Sequence, residues 1–508
     1  MTKQEAAAEL QPSADARKIA VLDIGSNSFH LVVVQSDGTN LNTLHKYKQK
    51  VRLAEGLSDE GYLSEEAIRR GLESLKMFEQ KIKDFAPDAV RIVATYTLRR
   101  ALNAYKFIKA ARKIISYPVE IISGQEEARL IYKAVSHSKT LNDSSLVVDI
   151  GGGSTEFALG QSEEPKILRS LDMGCVSYTQ QFFHDGKLTE DKFDQAITAA
   201  RQQLAQIEHN FTRVGWQQCV GTSGSIESMI SMYCDSAKFN DHHLTLPQLE
   251  NLKDYCLERG EISRLELGEI NQLRTQVFPA GLAIMIAIFK SLRVDSMGYV
   301  TSALREGVIH EMDDALRHKD IRQESVQSLA KKYFVEQSHA VQIRDTSWSL
   351  YDLAKDNWQL QDSRVKSLLG WAAELHEVGL FVQPRGVQKH SYYLLRHVDL
   401  HGFNAEQQRF LALLVRFYRK KIRLADIPEL TQFRQIELLQ CLILLRLSVI
   451  INNKRQPQLV PQVALEVDDH SLVLSFPVGW LPQHPVIKAN LNKEKDYLLD
   501  IGFKLSFS

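Results

Sequence analysis

The sequence predicts an α/β protein in which one architectural unit is used twice, followed by a helical region and a small β-containing C-terminal segment. Three observations carry this. Residues 146–157, LVVDIGGGSTEF, place an aliphatic run before Asp149 and three glycines, and residues 20–28, AVLDIGSNS, repeat the pattern around Asp23 and Gly25. A threonine closing a second apolar run follows each at matching distance: Thr95 lies 72 residues after Asp23, and Thr222 lies 73 after Asp149. Beyond about residue 313, glycines become scarce and long helical stretches replace the strand and turn pattern.

In the first half, residues 18–22, 31–35 and 41–53 read as strands, with Asp37 and Gly38 turning between the second and third. Ser64 opens a helix whose apolar residues Ile68, Leu72, Leu75, Phe78 and Ile82 share one face, with Glu65 and Glu66 favourably placed in its first turn. A strand over 90–95, a helix reaching about 115 and a strand over 119–122 follow. The second half reads as strands over 146–150, 155–160 and 166–171, a long helix over 190–211 and a strand over 218–221. Three strands, helix, strand, helix, used twice, is the ribonuclease-H-like arrangement of the actin-type ATPases, with a cleft between the halves. The expected divisions are a disordered tail over 1–17, actin-like domains over 18–130 and 131–312, a helical domain over 313–455 and a small α+β domain over 456–508. The apolar run 281–289 is shorter than the roughly 20 residues that span a bilayer and reads as a buried helix. Alternation of Val463, Leu465 and Val467 with Leu472, Leu474 and Phe476 across a polar turn reads as a hairpin.

Lys plus Arg and Asp plus Glu both number 62, so no global field draws the chain to nucleic acid or a membrane surface, and an anion site must be local. The five cysteines, Cys175, Cys219, Cys234, Cys256 and Cys441, are scattered and form no CxxC, which fits a reducing compartment and excludes a disulfide framework. The N-terminal residues contain no apolar segment of the kind that forms a secretory signal or an anchor.

The chemistry concentrates in the glycine turns. Gly151, Gly152 and Gly153 let successive N–H groups converge on one oxyanion, and Ser154 and Thr155 add hydroxyl donors. Asp149 and Glu156 would repel a bare phosphate, so a divalent cation, magnesium by default, is expected with them. Arg99, in TYTLRR after a strand, offers a guanidinium fork for phosphate oxygens. Ser123 and Glu126 have capping-box spacing, which gives Glu126 a structural task and leaves Glu127 to orient and deprotonate a water. The residues alone also permit the reverse assignment. TSGSI, residues 222–226, reads either as a further wall of the cleft or as a helix cap.

Together, AVLDIGSNSFHL, VATYTLRRALNA, VEIISGQEEARLIY, LVVDIGGGSTE, DMGCVSYTQQFF and SALREGVIHEM resemble the exopolyphosphatase and guanosine pentaphosphate phosphohydrolase (Ppx/GppA) family, over nearly the whole chain. The resemblance implies magnesium-dependent release of terminal phosphate from linear polyphosphate, or of the γ-phosphate from guanosine pentaphosphate. On it, Glu127 matches the catalytic glutamate, with Arg99 offsetting charge on the transferred group. Asp149 and Glu156 match metal-associated acids, to which Asp23 is added. Gly25, Ser26, Asn27, Ser28, Gly151, Gly152, Gly153, Ser154 and Thr155 fall in phosphate-cradling segments. A homodimer is also implied, and the location expected is cytoplasmic, extending to a peripheral position at the inner face of the cell membrane.

In the helical region, His339, His376, Glu377, His390, His397, Asp399 and His401 resemble the HD-type metal phosphohydrolases. The dyad is His376-Glu377 in place of His-Asp, so structural or interface histidines are expected rather than a second catalytic metal centre. Arg416, Arg419, Lys420, Lys421 and Arg423 would form a solvated helix end, or, on the resemblance, line a channel for a long anionic polymer, with Arg419, Lys420 and Lys421 binding it. DIGGGSTE, RFYRKKIRL and INNKRQ look like the exopolyphosphatase branch, whereas VFPAGLAIMIAIF looks like the pentaphosphate branch. The reading is therefore an exopolyphosphatase, with guanosine pentaphosphate hydrolysis as the alternative. An actin-fold kinase would need an adenosine pocket and an acceptor site that the sequence does not display. A non-catalytic alarmone or polyphosphate binder is opposed by Glu127 standing with both acids.

Overall fold

In the computed structural model, residues 17–36, 41–138, 141, 143–234, 242–268, 272–316, 320–456 and 461–508 are described. The expected tail, up to residue 16, and the turn at Asp37 and Gly38 lie outside the described residues. The chain forms two compact units, residues 1–319 and 320–508.

The first unit opens with β1 (Arg17–Ile24), β2 (Ser28–Ser36), β3 (Leu41–Lys50), α1 (Glu65–Phe85), β4 (Ala89–Ala94), α2 (Tyr96–Arg100), α3 (Ala104–Ala111) and β5 (Val119–Ile121). Helix α4 (Gly124–Ser138) leads into the second half: β6 (Ser144–Ile150), β7 (Thr155–Gln161), β8 (Glu164–Leu171), α5 (Cys175–Phe182), α6 (Glu190–Leu204), α7 (Glu208–Val214), β9 (Gln218–Thr222), α8 (Gly224–Ile230), α9 (Leu246–Arg259), α10 (Gln272–Leu292), β10 (Gly298–Tyr299) and α11 (Leu304–Leu316). The first sheet runs β3-β2-β1-β4-β5 and the second β10-β9-β6-β7-β8. In each, the first three strands are antiparallel neighbours and the last two join in parallel. Two mixed sheets of one strand order are the duplicated ribonuclease-H-like plan.

Ser64 caps α1 as its spacing predicts, its hydroxyl accepting from the Ala67 N–H at 3.2 Å. Two expected helices are instead broken. The one expected to reach 115 stops at Arg100, because Ala101 is extended and the Asn103 amide is taken by the Leu63 backbone, with bonds of 2.8 Å in both directions. The one expected over 190–211 tightens into i,i+3 turns at Gln206 and Ile207, then resumes with Phe211 in the core. The run at 281–289 lies inside α10, whose 274–292 segment is long and apolar enough to cross a membrane; 78% of it is buried within this unit. It packs against α5, α6, α8 and α9 as a core helix.

Each sheet has one face on the helices of its own half and the other on a shared core. There Ile19, Val21 and Val93 from the first sheet and Val147, Ala158 and Val220 from the second enclose Leu130 and Ile131 of α4 and Val308 and Ile309 of α11. Burial on both faces explains why these strands read as continuous aliphatic runs. Gly307 of α11 lies so near α4 that a Cβ would sit 1.9 Å from the Leu130 carbonyl oxygen. The crossing is tied by charges of alternating sign. Glu126 grips Arg129 through two bonds of 2.8 Å, Arg129 bonds Glu311, and Arg91 reaches both Glu311 at 2.6 Å and Glu120 at 3.2 Å. The expected limits at 130 and 312 fall inside these two helices.

The second unit contains α12 (Ile321–Lys332), α13 (Gln337–Ala354), α14 (Ser363–Leu375), α15 (Val387–His397), α16 (Ala405–Phe417) and α17 (Gln435–Ile451), then β11 (Ala464–Asp468), β12 (Ser471–Ser475), α18 (Trp480–Gln483), α19 (Pro485–Leu499) and β13 (Lys504–Phe507). The helices enclose one apolar core. Strands β11 and β12 form the hairpin that the alternation predicts, and β13 joins β12 in parallel. Arg446 of α17 is fully buried, and it is satisfied by Glu494 of α19 at 2.5 and 2.7 Å and by the Phe417 carbonyl at 2.5 Å.

Candidate functional site

The duplication brings two aspartates to equivalent places. Asp23, next to last in β1, lies opposite His30 of β2, and Asp149, next to last in β6, lies opposite Glu156 of β7. The turns that follow close alike, the Gly25 N–H donating to the Ser28 carbonyl at 3.2 Å and the Gly151 N–H to the Ser154 carbonyl at 2.9 Å. Between them lies a cavity of about 380 Å³. Asp23, Gly25, Ser26, Asn27, Ser28, Glu127, Asp149, Gly151, Gly152, Gly153 and Ser154 line it, as do Tyr96, Ser223 and Gly224. A Cβ at Gly153 would stand 2.0 Å from the Tyr96 ring, so that position admits glycine alone.

The walls also include four nitrogen-bearing side chains: His30, Lys48, Arg274 and Arg305. Sequence reasoning missed all four. His30 and Arg305 sit in the quoted AVLDIGSNSFHL and SALREG segments without a role, and Lys48 and Arg274 belong to no motif; packing unites them. Arg305 contacts His30 Nδ1. Arg274 bonds the Gly224 carbonyl at 3.0 Å and also Glu227.

The electrostatics describe opposed charges held apart in a desolvated space. Burial pushes Asp23 up to about 7, with Arg305 opposing and Glu127 and Glu306 adding repulsion. Asp149 is likewise pushed up to about 7 by burial and by the charges of Glu127 and Asp23. Burial also raises Glu127, against the pull of Arg99. His30 is held down to about 2 by burial, Arg305 and Lys48, so it is neutral. Lys48 is lowered by burial and by Arg274 and Arg305. Four buried atoms of the lining have no hydrogen-bond partner among the described residues: Asp23 Oδ1, Ser28 Oγ, Ser223 Oγ and Arg305 Nε. Ser223 also has a φ of +89°, a strained conformation for a serine. Buried polar atoms in folded proteins are nearly always satisfied, so this set is suited to a polar ligand. The carboxylate oxygens of Asp23 and Asp149 are hard donors that fit a magnesium ion.

Other expected site residues lie elsewhere. Thr155, expected in the cradle, is fully buried and donates its hydroxyl to the Met173 carbonyl at 2.5 Å. Glu156 is buried behind the turn, its Oε1 accepting from Ser170 at 2.8 Å. Arg99 stands behind Glu127, donating to its Oε2 at 3.0 Å and to the Ile122 carbonyl at 3.1 Å. Ser123 accepts from the Glu126 N–H at 3.1 Å, while the Glu126 carboxylate is turned to Arg129. Arg419, Lys420 and Lys421 belong to the second unit, exposed beyond α16, with Lys421 paired to Asp500 at 2.9 Å.

The model of the Ppx/GppA phosphatase family matches residues 32–316, and that of the family's domain III matches residues 321–495. The guanosine-5'-triphosphate,3'-diphosphate pyrophosphatase of Photobacterium profundum is 36% identical over 486 residues, 96% of this chain and 97% of that protein. Its counterpart from Vibrio cholerae is 37% identical over 487 residues, with the same shares covered. Among solved structures, an exopolyphosphatase from Cytophaga hutchinsonii superposes with a TM-score of 0.55 at 26% identity, over 59% of this chain and 98% of its own. The Aquifex aeolicus Ppx/GppA protein gives a TM-score of 0.51 at 26% identity, over 60% and 99%.

Proposed function

Because the chain belongs to the Ppx/GppA phosphatase family, we propose that its cleft hydrolyses a terminal phosphoanhydride bond, with guanosine pentaphosphate as the main substrate. The observation that carries the reading is the set of orphaned buried atoms, Asp23 Oδ1, Ser28 Oγ, Ser223 Oγ and Arg305 Nε, converging on one cavity. The two glycine turns offer backbone N–H groups to the terminal phosphate, and Lys48, Arg274 and Arg305 offset the charge of the remaining phosphates. Glu127, desolvated and held by Arg99, orients a water molecule and accepts its proton as the oxygen attacks phosphorus in line with the departing anhydride oxygen. Asp23 and Asp149 would hold a magnesium ion, which neutralises charge on the phosphate oxygens.

This reverses the preference drawn from sequence motifs. Relatives matching almost end to end carry the pentaphosphate name, whereas the exopolyphosphatase likeness is to a structure at 26% identity covering 59% of the chain. Long polyphosphate is the second reading, favoured by that likeness and by the exposed basic run after α16. Steady-state hydrolysis of the two substrates side by side, with magnesium, tests the choice. A higher kcat/KM for guanosine pentaphosphate supports the first reading, and a higher value for long polyphosphate overturns it.

A further inference from the structure

We propose that His339, His376 and Glu377 of the second unit form a binding site for one divalent transition-metal ion. His339 lies in the first turn of α13, and His376 and Glu377 follow the end of α14. One ligand atom from each lies within 4.8 Å of the others.

The state of the two imidazoles distinguishes this cluster from a structural pair. His376 is 1% exposed, and its Nδ1 lies 2.7 Å from the Ala373 carbonyl oxygen, which can only accept. The ring proton therefore sits on Nδ1, and Nε2 carries a bare lone pair; that atom is buried with no partner among the described residues. His339 is 6% exposed, and its Nδ1 is likewise buried with no partner among the described residues. A histidine retained only for packing has no need to orphan a ring nitrogen, and two do so within one cluster. A backbone carbonyl on the far ring nitrogen is the outer-shell arrangement that presents an imidazole to a metal.

Glu377 supplies the anionic ligand. Its side chain is 15% exposed, and both oxygens accept from Arg455 Nη2, at 2.7 and 2.9 Å, while Arg455 Nη1 bonds Glu336 at 2.6 Å. Each carboxylate oxygen keeps a further lone pair, so Arg455 fixes the carboxylate without consuming it. Ligands about 2.1 Å from one ion stand about 3–3.5 Å apart, so binding requires a contraction of up to about 1.5 Å. Two nitrogens and one carboxylate suit zinc, iron or manganese; magnesium favours oxygen ligands and water. Three protein ligands leave coordination positions open.

The test uses untagged full-length protein, stripped with a chelator and titrated with Co²⁺ alone and then Zn²⁺ alone. Visible absorption reports nitrogen ligation, and elemental analysis reports metal per chain. One nitrogen-ligated Co²⁺ per chain is expected, displaced by Zn²⁺ and retained in an Asp23→Asn/Asp149→Asn protein, which lacks the cation ligands proposed for the cleft. His339→Gln and Glu377→Gln should each weaken binding by more than about 100-fold, the upper range for losing an outer-shell partner alone. Circular dichroism checks the fold; where His339→Gln fails to fold, the more accessible Glu377→Gln decides. No nitrogen-ligated Co²⁺ in the wild type, or equal binding by Glu377→Gln, overturns the proposal.

Discussion

The two halves of the first unit share a backbone plan and differ in the side chain that faces its aspartate. Each places an aspartate one residue before the end of its first strand and closes a glycine turn with the same backbone bond. At the register position facing that aspartate, the first half carries His30, pressed against Arg305, and the second carries Glu156, tied to Ser170. Burial and the surrounding cations keep His30 uncharged, whereas burial and Glu127 hold the Glu156 carboxyl well above its ordinary range. Duplication therefore supplied two equivalent glycine turns, and the cleft between them joins the cations Lys48, Arg274 and Arg305 to a carboxylate wall of Asp23, Glu127 and Asp149.

The largest effect should come from the carboxylate wall. Glu127→Gln is expected to slow turnover by roughly 10²- to 10⁴-fold, the usual worth of a general base, with circular dichroism and KM nearly unchanged. Glu126→Gln should retain turnover and lose stability, because it deprives Arg129 of a bidentate partner. Inactivity of Glu126→Gln beside an active Glu127→Gln would move the base by one residue.

Magnesium titration sharpens the contrast within that wall. Asp149→Asn should raise the half-activating concentration by about 10- to 100-fold, and Glu156→Gln by less, since Glu156 stands behind the turn. Equal shifts would make Glu156 a direct ligand.

The junction between the halves offers a pH-dependent test. Burial alone would raise Glu311, but Arg129 and Arg91 outweigh it and bring its pKa down to about 2. A depressed carboxylate stabilises the fold fully above its unfolded value and loses that contribution as the pH falls from about 4.5 towards 2. Glu311→Gln should thus destabilise at neutral pH by about 3 kcal/mol or less, Glu126 and Glu120 remaining as partners, and the deficit should shrink across that acid window in chemical denaturation. A pH-independent deficit would assign the loss to packing.

The smallest effect concerns the exposed basic run. Replacing Arg419, Lys420 and Lys421 together with Gln should raise KM for long polyphosphate modestly, less so at high salt, and leave guanosine pentaphosphate unaffected. Equal losses on both substrates would point to destabilisation, and no loss on either to a solvated helix end.

The sequence exposed whatever is local. Asp23, Asp149 and the glycine turns announce themselves because strand, acid and turn are contiguous, and the matched spacing to Thr95 and Thr222 revealed the duplication. Burial on both faces made the central strands legible as aliphatic runs. Strand β10, with two residues, is too short for any periodicity, and Asn103 breaks a helix through a bond to a backbone 40 residues away. His30, Lys48, Arg274 and Arg305 converge from four elements, so no local pattern gives them a common role. Thr155 misled because a hydroxyl beside a glycine turn reads as a ligand donor, whereas its neighbour Met173 supplies the acceptor.

The meeting of Gly307 with the Leu130 carbonyl sets how closely the two halves can approach. Helix α11 packs on β1 and α4 on β7 and β8, so a side chain at 307 would part the helices and, with them, the two sheets. The width of the gap between the glycine turns therefore depends on a hydrogen atom standing where every other residue would carry a carbon.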